Sequence, residues 1–99
     1  MKARIEDISY ALPGAVVTND ALHEAHPEWD FTQLEERTGV SQRCIASPDE
    51  TALDLAETAC RDLDLDGVDG LLFCTETPDH PIPSNACLLH GRLGLAKNV

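Results

Sequence analysis

Positive charge is scarce in this chain. Seven lysines and arginines stand against eighteen aspartates and glutamates, a formal net charge of −11 over 99 residues. A field of that sign repels a nucleic acid backbone and an anionic membrane surface alike, so neither is an expected partner. Long apolar runs are also missing, since every hydrophobic stretch falls far short of the ~18 residues that a membrane helix needs. The opening Met1-Lys2-Ala3-Arg4-Ile5-Glu6-Asp7 has no basic segment followed by an apolar one. That argues against a signal peptide and for a cytoplasmic setting. Among the four cysteines, Cys44, Cys60, Cys74 and Cys87, there is no CxxC pair to put two sulfurs on one metal. No metal site is expected from that spacing, and the apolar neighbours of Cys74 and Cys87 suggest small buried hydrophobes kept as thiols. No repeat, linker or low-complexity stretch divides the sequence.

What is present is an ordinary globular balance, 42% hydrophobic and 25% charged. The length suits one small domain or a piece of a larger one and excludes two independent cores. Ala3 to Leu12 reads as a strand ended by Pro13-Gly14, with uneven alternation at Glu6-Asp7-Ile8. Thr18-Asn19-Asp20 offers N-cap oxygens for a short helix through Ala25, stopped by Pro27. Phe31 and Leu34 mark further helical turns ending near Gly39, and Val40 to Ala46 reads as extended. Ser47-Pro48-Asp49-Glu50 has the form of a capping box, followed by Ala52, Leu55, Ala56, Ala59 and Leu63 at helical spacing. Leu71-Leu72-Phe73-Cys74 is the short apolar run of a strand covered on both faces. Ser84 then caps a last helix that closes at Gly94.

Strands alternating with helices predict an α/β fold, a mixed sheet layered with helices. Ligands in such sheets gather beyond the carboxyl ends of the strands. That points to the loop Thr75-Glu76-Thr77-Pro78-Asp79-His80-Pro81-Ile82-Pro83, whose prolines either stiffen it for presenting side chains or steer the chain into the next helix.

Three local patterns imitate chemistry. Asp62-Leu63-Asp64-Leu65-Asp66-Gly67 copies the first half of a calcium loop, but the closing bidentate position is Phe73, which favours a plain acidic loop. His23-Glu24-Ala25-His26 is one residue short of the spacing that puts two histidines on one zinc, and Pro27 ends the helix there. Cys87 and His90 lie one turn apart at the start of a helix, where a dipole favours a thiolate. The apolar flanks of Cys87 and the lack of an orienting acid weigh against a nucleophile there.

Taken in order, Tyr10-Ala11-Leu12-Pro13 through Val17-Thr18-Asn19, Arg37-Thr38-Gly39-Val40 with Arg43 and Ile45-Ala46, Glu50-Thr51, Cys74-Thr75-Glu76-Thr77-Pro78-Asp79, and Pro83-Ser84-Asn85-Ala86-Cys87 with Leu93-Gly94 resemble the N-terminal part of β-ketoacyl-acyl carrier protein synthase III. The match covers the whole chain, and its strength is joint, carried by ordered pieces at nearly the family's separations.

The resemblance implies a partial thiolase-like fold, with residues 1–99 an incomplete N-terminal segment of the first domain. It implies an acyltransferase of fatty acid or related acyl-chain biosynthesis, which works as a homodimer and condenses an acyl-CoA primer with a malonyl thioester on acyl carrier protein. No cofactor is implied. The family's nucleophilic cysteine lies in an AACxGF-type segment beyond the piece matching Leu93-Gly94, and its histidine and asparagine come later still. No catalytic residue is therefore expected within these residues, and Cys87 matches a helical position ahead of the nucleophile.

Binding residues do carry over. Arg37 and Thr38 match the mouth of the CoA tunnel, where a guanidinium can pair with phosphate. Trp29 matches a CoA-stacking tryptophan, although it precedes Arg37 by more positions than in the family. Ile82 matches the position that reaches across the dimer to close the partner's acyl pocket, and its modest size implies room for primers longer than acetyl. The chain is also shorter than the family around Asp62 to Asp69. The alternative to an acyltransferase segment is a free-standing small acidic domain with a binding or scaffolding role and no catalysis.

Overall fold

The computed structural model describes residues 2–31 and 33–99. In chain order the elements are β1 (Ala15–Thr18), α1 (Asn19–Ala25), α2 (Leu34–Thr38), β2 (Gln42–Ile45), α3 (Ala52–Cys60) and α4 (Asn85–Leu93). They group into two compact units, one drawing on residues up to Ala11 together with Glu50–Val99, the other on Leu12–Asp49.

The unit of residues 12–49 is built on one antiparallel pair. β1 and β2 align Ala15 with Ile45 and Thr18 with Gln42. β1 passes directly into α1 because Thr18 is extended and its hydroxyl accepts from the Ala21 amide at 3.2 Å, the cap expected from its side chain. A brace ties the two ends of the connection between the strands. The Asn19 amide group donates to the Val40 carbonyl at 2.9 Å, and the Arg43 guanidinium donates to the Val17 carbonyl at 3.2 Å and to the Asn19 side-chain oxygen. α2 ends at Gly39, whose φ of 70° is the left-handed conformation that a glycine adopts without strain.

The other unit packs α3 against α4. Its core is Leu53 (1% exposed) and Leu89 (2%), one from each helix. Burying two leucines stabilises by roughly 3–6 kcal/mol before entropy is counted. Arg92 on α4 adds a polar bridge, donating to Asp54 at 2.6 Å and to Glu57 at 3.1 Å, and Arg61 donates to Glu57 within α3. α4 starts after Ser84 and stops at Gly94, φ 65°, as the sequence indicates.

Two expectations fail in instructive ways. α3 begins not in the Ser47 to Glu50 stretch but after Thr51, where Thr51 and Asp54 form a reciprocal capping box. Pro48 and Asp49 turn instead. The Thr51 box lies directly against the apolar run, so the helix it caps carries no unburied extra turn. The strands expected at Ala3–Leu12 and Leu71–Cys74 form no ladder among the described residues. Strand propensity needs a partner edge, and the sheet here has only β1 and β2. The side chains written for a covered sheet are left outside: Ile5, Ile8, Tyr10 and Leu12 are exposed, and Leu72 is 100% exposed. Cys74 and Cys87 are exposed with them, while Cys44 and Cys60 are half-buried. An apolar surface of this kind is what part of a larger layered fold presents when its neighbouring strands are not there.

Candidate functional site

The Leu12–Asp49 unit holds a hollow of about 230 Å³ lined by Asp30, Gln33, Leu34, Arg37 and Thr38. Arg37 and Thr38, marked out by sequence, are thus brought to one place by the single turn of helix between Leu34 and Thr38. Arg37 supplies a planar guanidinium suited to a phosphate, and Asp30 brings a carboxylate to the same hollow. Thr38 has a prior engagement. Its hydroxyl donates to the Leu34 carbonyl at 2.6 Å and accepts from the Val40 amide at 3.1 Å, so its one hydrogen serves the helix end.

Trp29 is not among the described residues lining that hollow. It stacks on His26 at 4.1 Å between ring centroids with an interplanar angle of 8°, and tilts against Phe31 at 5.8 Å. His26 also meets Glu28 at 3.3 Å, and hydrogen bonding from the Glu28 backbone, more than from His26, lowers the Glu28 carboxyl pKa. The indole remains about half exposed (52%), with one face taken by imidazole. His23 lies edge-on to Phe31 at 6.1 Å. The two histidines of the near-metalloprotease pattern therefore serve aromatic contacts.

In the α3–α4 unit, Ile82 projects from the Thr75–Ser84 loop and is 89% exposed. The loop is fastened by Asn85, the first residue of α4 and only 3% exposed. Its side-chain oxygen accepts from the Asp79 amide at 3.1 Å, and its NH2 donates to the Asp79 carboxylate at 3.0 Å. The Asp79 pKa is lowered, first by the Thr51 side chain and then by Asn85 and the Leu53 backbone, against desolvation and the nearby Asp54 charge. Sequence reading missed this clasp. An Asn just inside a capped helix and an Asp after a proline are each unremarkable turn residues, and nothing in their spacing announces that they meet.

Cys87 and His90 do line one hollow, with Leu71, Ala86 and Val99. The thiol is within 3.4 Å of the Ser84 hydroxyl, which donates to it, and His90 Nε2 lies 3.0 Å from the Ala96 carbonyl. With the imidazole turned to the backbone and no carboxylate among the described lining residues, nothing orients a base toward the sulfur. The acidic loop turns at Gly67, φ 77°, with the Asp66 amide donating to Asp64. Among the described residues no three His, Cys, Asp or Glu side chains gather as a metal site, and no helix is long and apolar enough to cross a membrane.

Comparison with solved structures decides what fold these pieces belong to. The chain superposes on a crystal structure of 3-oxoacyl-(acyl-carrier-protein) synthase III with a TM-score of 0.84 and 40% identity, over 96% of this chain and 30% of that one. This chain has the fold of a β-ketoacyl-acyl carrier protein synthase III segment. The corresponding synthase III from Thermus thermophilus gives a TM-score of 0.79 at 31% identity, again over 30% of its length. Among curated proteins, β-ketoacyl-acyl carrier protein synthase III of Alkalilimnicola ehrlichii is 40% identical over 102 aligned residues and that of Methylococcus capsulatus 41%, each covering 94% of this chain. The chain spans about 30% of the length of these curated relatives. No family model matches it. The α/β, partial thiolase-like fold expected from the sequence is the fold observed.

Proposed function

We propose that the chain is the N-terminal segment of a synthase III-like acyltransferase, which condenses an acyl-CoA primer with a malonyl thioester carried on acyl carrier protein in fatty acid or related acyl-chain biosynthesis. The observation that carries this reading is the joint match of sequence and backbone to synthase III, 40% identity at a TM-score of 0.84. The nucleophilic cysteine, histidine and asparagine lie in the remainder of the enzyme. The primer acylates that cysteine with loss of CoA as thiol, the malonyl group loses carbon dioxide, and the resulting carbanion attacks the acyl carbonyl, breaking its C–S bond and releasing the cysteine thiolate. The protein's own groups do this without a cofactor.

Within this chain the contribution is binding. Arg37 pairs with a phosphate of CoA at the tunnel mouth, with Thr38 shaping the helix end beside it and Trp29 offering the exposed part of its indole to the adenine. Ile82 closes the acyl pocket of the partner subunit in a homodimer that works in the cytoplasm. At a net charge of −11, attraction of anionic CoA and an acidic carrier rests on local arginines here and basic residues in the remainder.

Intact mass of the purified protein, before and after incubation with an acyl-CoA, tests the proposal. A mass several times 10.8 kDa that gains one acyl group supports it. A 10.8 kDa protein that stays unmodified overturns it in favour of a small acidic binding domain.

A further inference from the structure

We propose that Asp79 and Asn85 are positioning residues that set primer chain-length preference, by fixing the loop on which Ile82 is presented. The inference rests on the acyl-pocket reading of Ile82 and adds to it the device that holds the side chain in place.

Ile82 is too exposed to be held by contacts of its own within this chain. Its position is inherited from the backbone on either side. That backbone is closed into a small ring. Asn85 uses both ends of its amide on Asp79, six positions earlier, so residues 80–84 span a fixed gap. Two of those five are prolines, Pro81 and Pro83, whose φ angles are locked near −65°. Few free dihedrals remain, and Ile82 sits at the centre of the span. The ring is anchored as well as closed. Asn85 is buried at the head of α4, and the Thr51 side chain and Leu53 backbone at the head of α3 are near enough to the Asp79 carboxylate to help lower its pKa. The loop is thus referenced through Asn85 to α4, the helix that supplies Leu89 to the core.

A side chain that gates an apolar pocket discriminates by position, and a shift of the order of 1 Å changes which chain lengths fit. Cutting the clasp lets Ile82 wander, and a wandering gate discriminates less. A clasp that served stability alone would lower the rates with all primers together and leave their ratio alone.

The test is steady-state kinetics of the full-length enzyme with acetyl-CoA and octanoyl-CoA, comparing kcat/KM ratios for the parent, Ile82→Phe, Asp79→Ala and Asn85→Ala. Asp79 is half-buried on a loop and carries the test if Asn85→Ala, at a buried site, does not fold. Expected are a shift of the ratio toward acetyl in Ile82→Phe and a collapse of the ratio toward one, by about threefold or more, in the clasp variants. If Ile82→Phe moves the ratio and both clasp variants leave it unchanged, the positioning role is overturned and the pocket reading stands. If Ile82→Phe itself leaves the ratio unchanged, the pocket reading falls and takes this inference with it.

Discussion

Arg92 on α4 donates to the Asp54 carboxylate on α3 at 2.6 Å across 38 positions of sequence, and the same nitrogen reaches Glu57 at 3.1 Å. One guanidinium therefore cross-links the two helices that enclose the core. Hydrogen bonding from Arg92 holds the Asp54 pKa below its ordinary 3.8, and Arg61, followed by Arg92, holds Glu57 below 4.5.

These depressed carboxylates fix a pH dependence. A folded-state pKa below the unfolded one contributes stability that is fully present above the ordinary value and is lost as pH falls through the folded value. Arg92→Met is expected to lower Tm by about 1–3 °C at neutral pH, less in high salt, because the groups are partly exposed and screened. The gap between variant and parent should close as pH drops below 4.5. Thermal melts at stepped pH check this, and a gap that persists in strong acid would contradict it.

Leu53 and Leu89 are the whole of the large buried apolar core among the described residues. Leu53→Ala or Leu89→Ala is expected to cost about 2–5 kcal/mol, read as a fall in the denaturant midpoint at unchanged slope. Exposed Leu72→Ala should cost far less in this chain, which makes it the control.

Arg37 and Thr38 line one hollow but should fail differently. On the proposed phosphate-pairing role, Arg37→Ala in the full-length enzyme is expected to raise KM for acyl-CoA by about tenfold with little change in kcat, as for a charge-assisted contact made equally in ground and transition states. Thr38→Val should instead lower stability by about 1 kcal/mol, since its hydroxyl serves Leu34 and Val40, and leave KM nearly unchanged. A large KM effect in Thr38→Val would mean that the hydroxyl exchanges its helix partner for ligand.

Thr51→Ala should both uncap α3, costing about 1 kcal/mol, and raise the Asp79 pKa toward its ordinary 3.8, because the Thr51 side chain is the largest influence on it. Carboxyl chemical shifts followed against pH distinguish the two effects.

Much of this structure was legible from residues that act locally. Thr18 before Asn19-Asp20, Gly39 after Thr38, and Gly94 after Leu93 mark helix ends because a cap or a left-handed turn is settled within four residues. Strands were read less well. Ala3–Leu12 and Leu71–Cys74 carry strand composition, yet a ladder depends on a neighbour that composition does not specify. β1 emerged instead just past Pro13-Gly14, opposite β2. The site divides along the same line. Arg37 and Thr38 sit on one turn and were found together, whereas Asp79, Asn85 and Thr51 converge from separate segments and were found only in the structure.

The brace of Asn19 with Val40 and Arg43 makes the stretch between β1 and β2 an exchangeable cassette. Its two ends are pinned to each other, and the entropy of closing a chain segment grows only slowly with its length. Residues can thus be gained or lost between the pins without unzipping the strand pair. The separation of Trp29 from Arg37 lies between the pins, so it can change in length while Thr18 stays opposite Gln42.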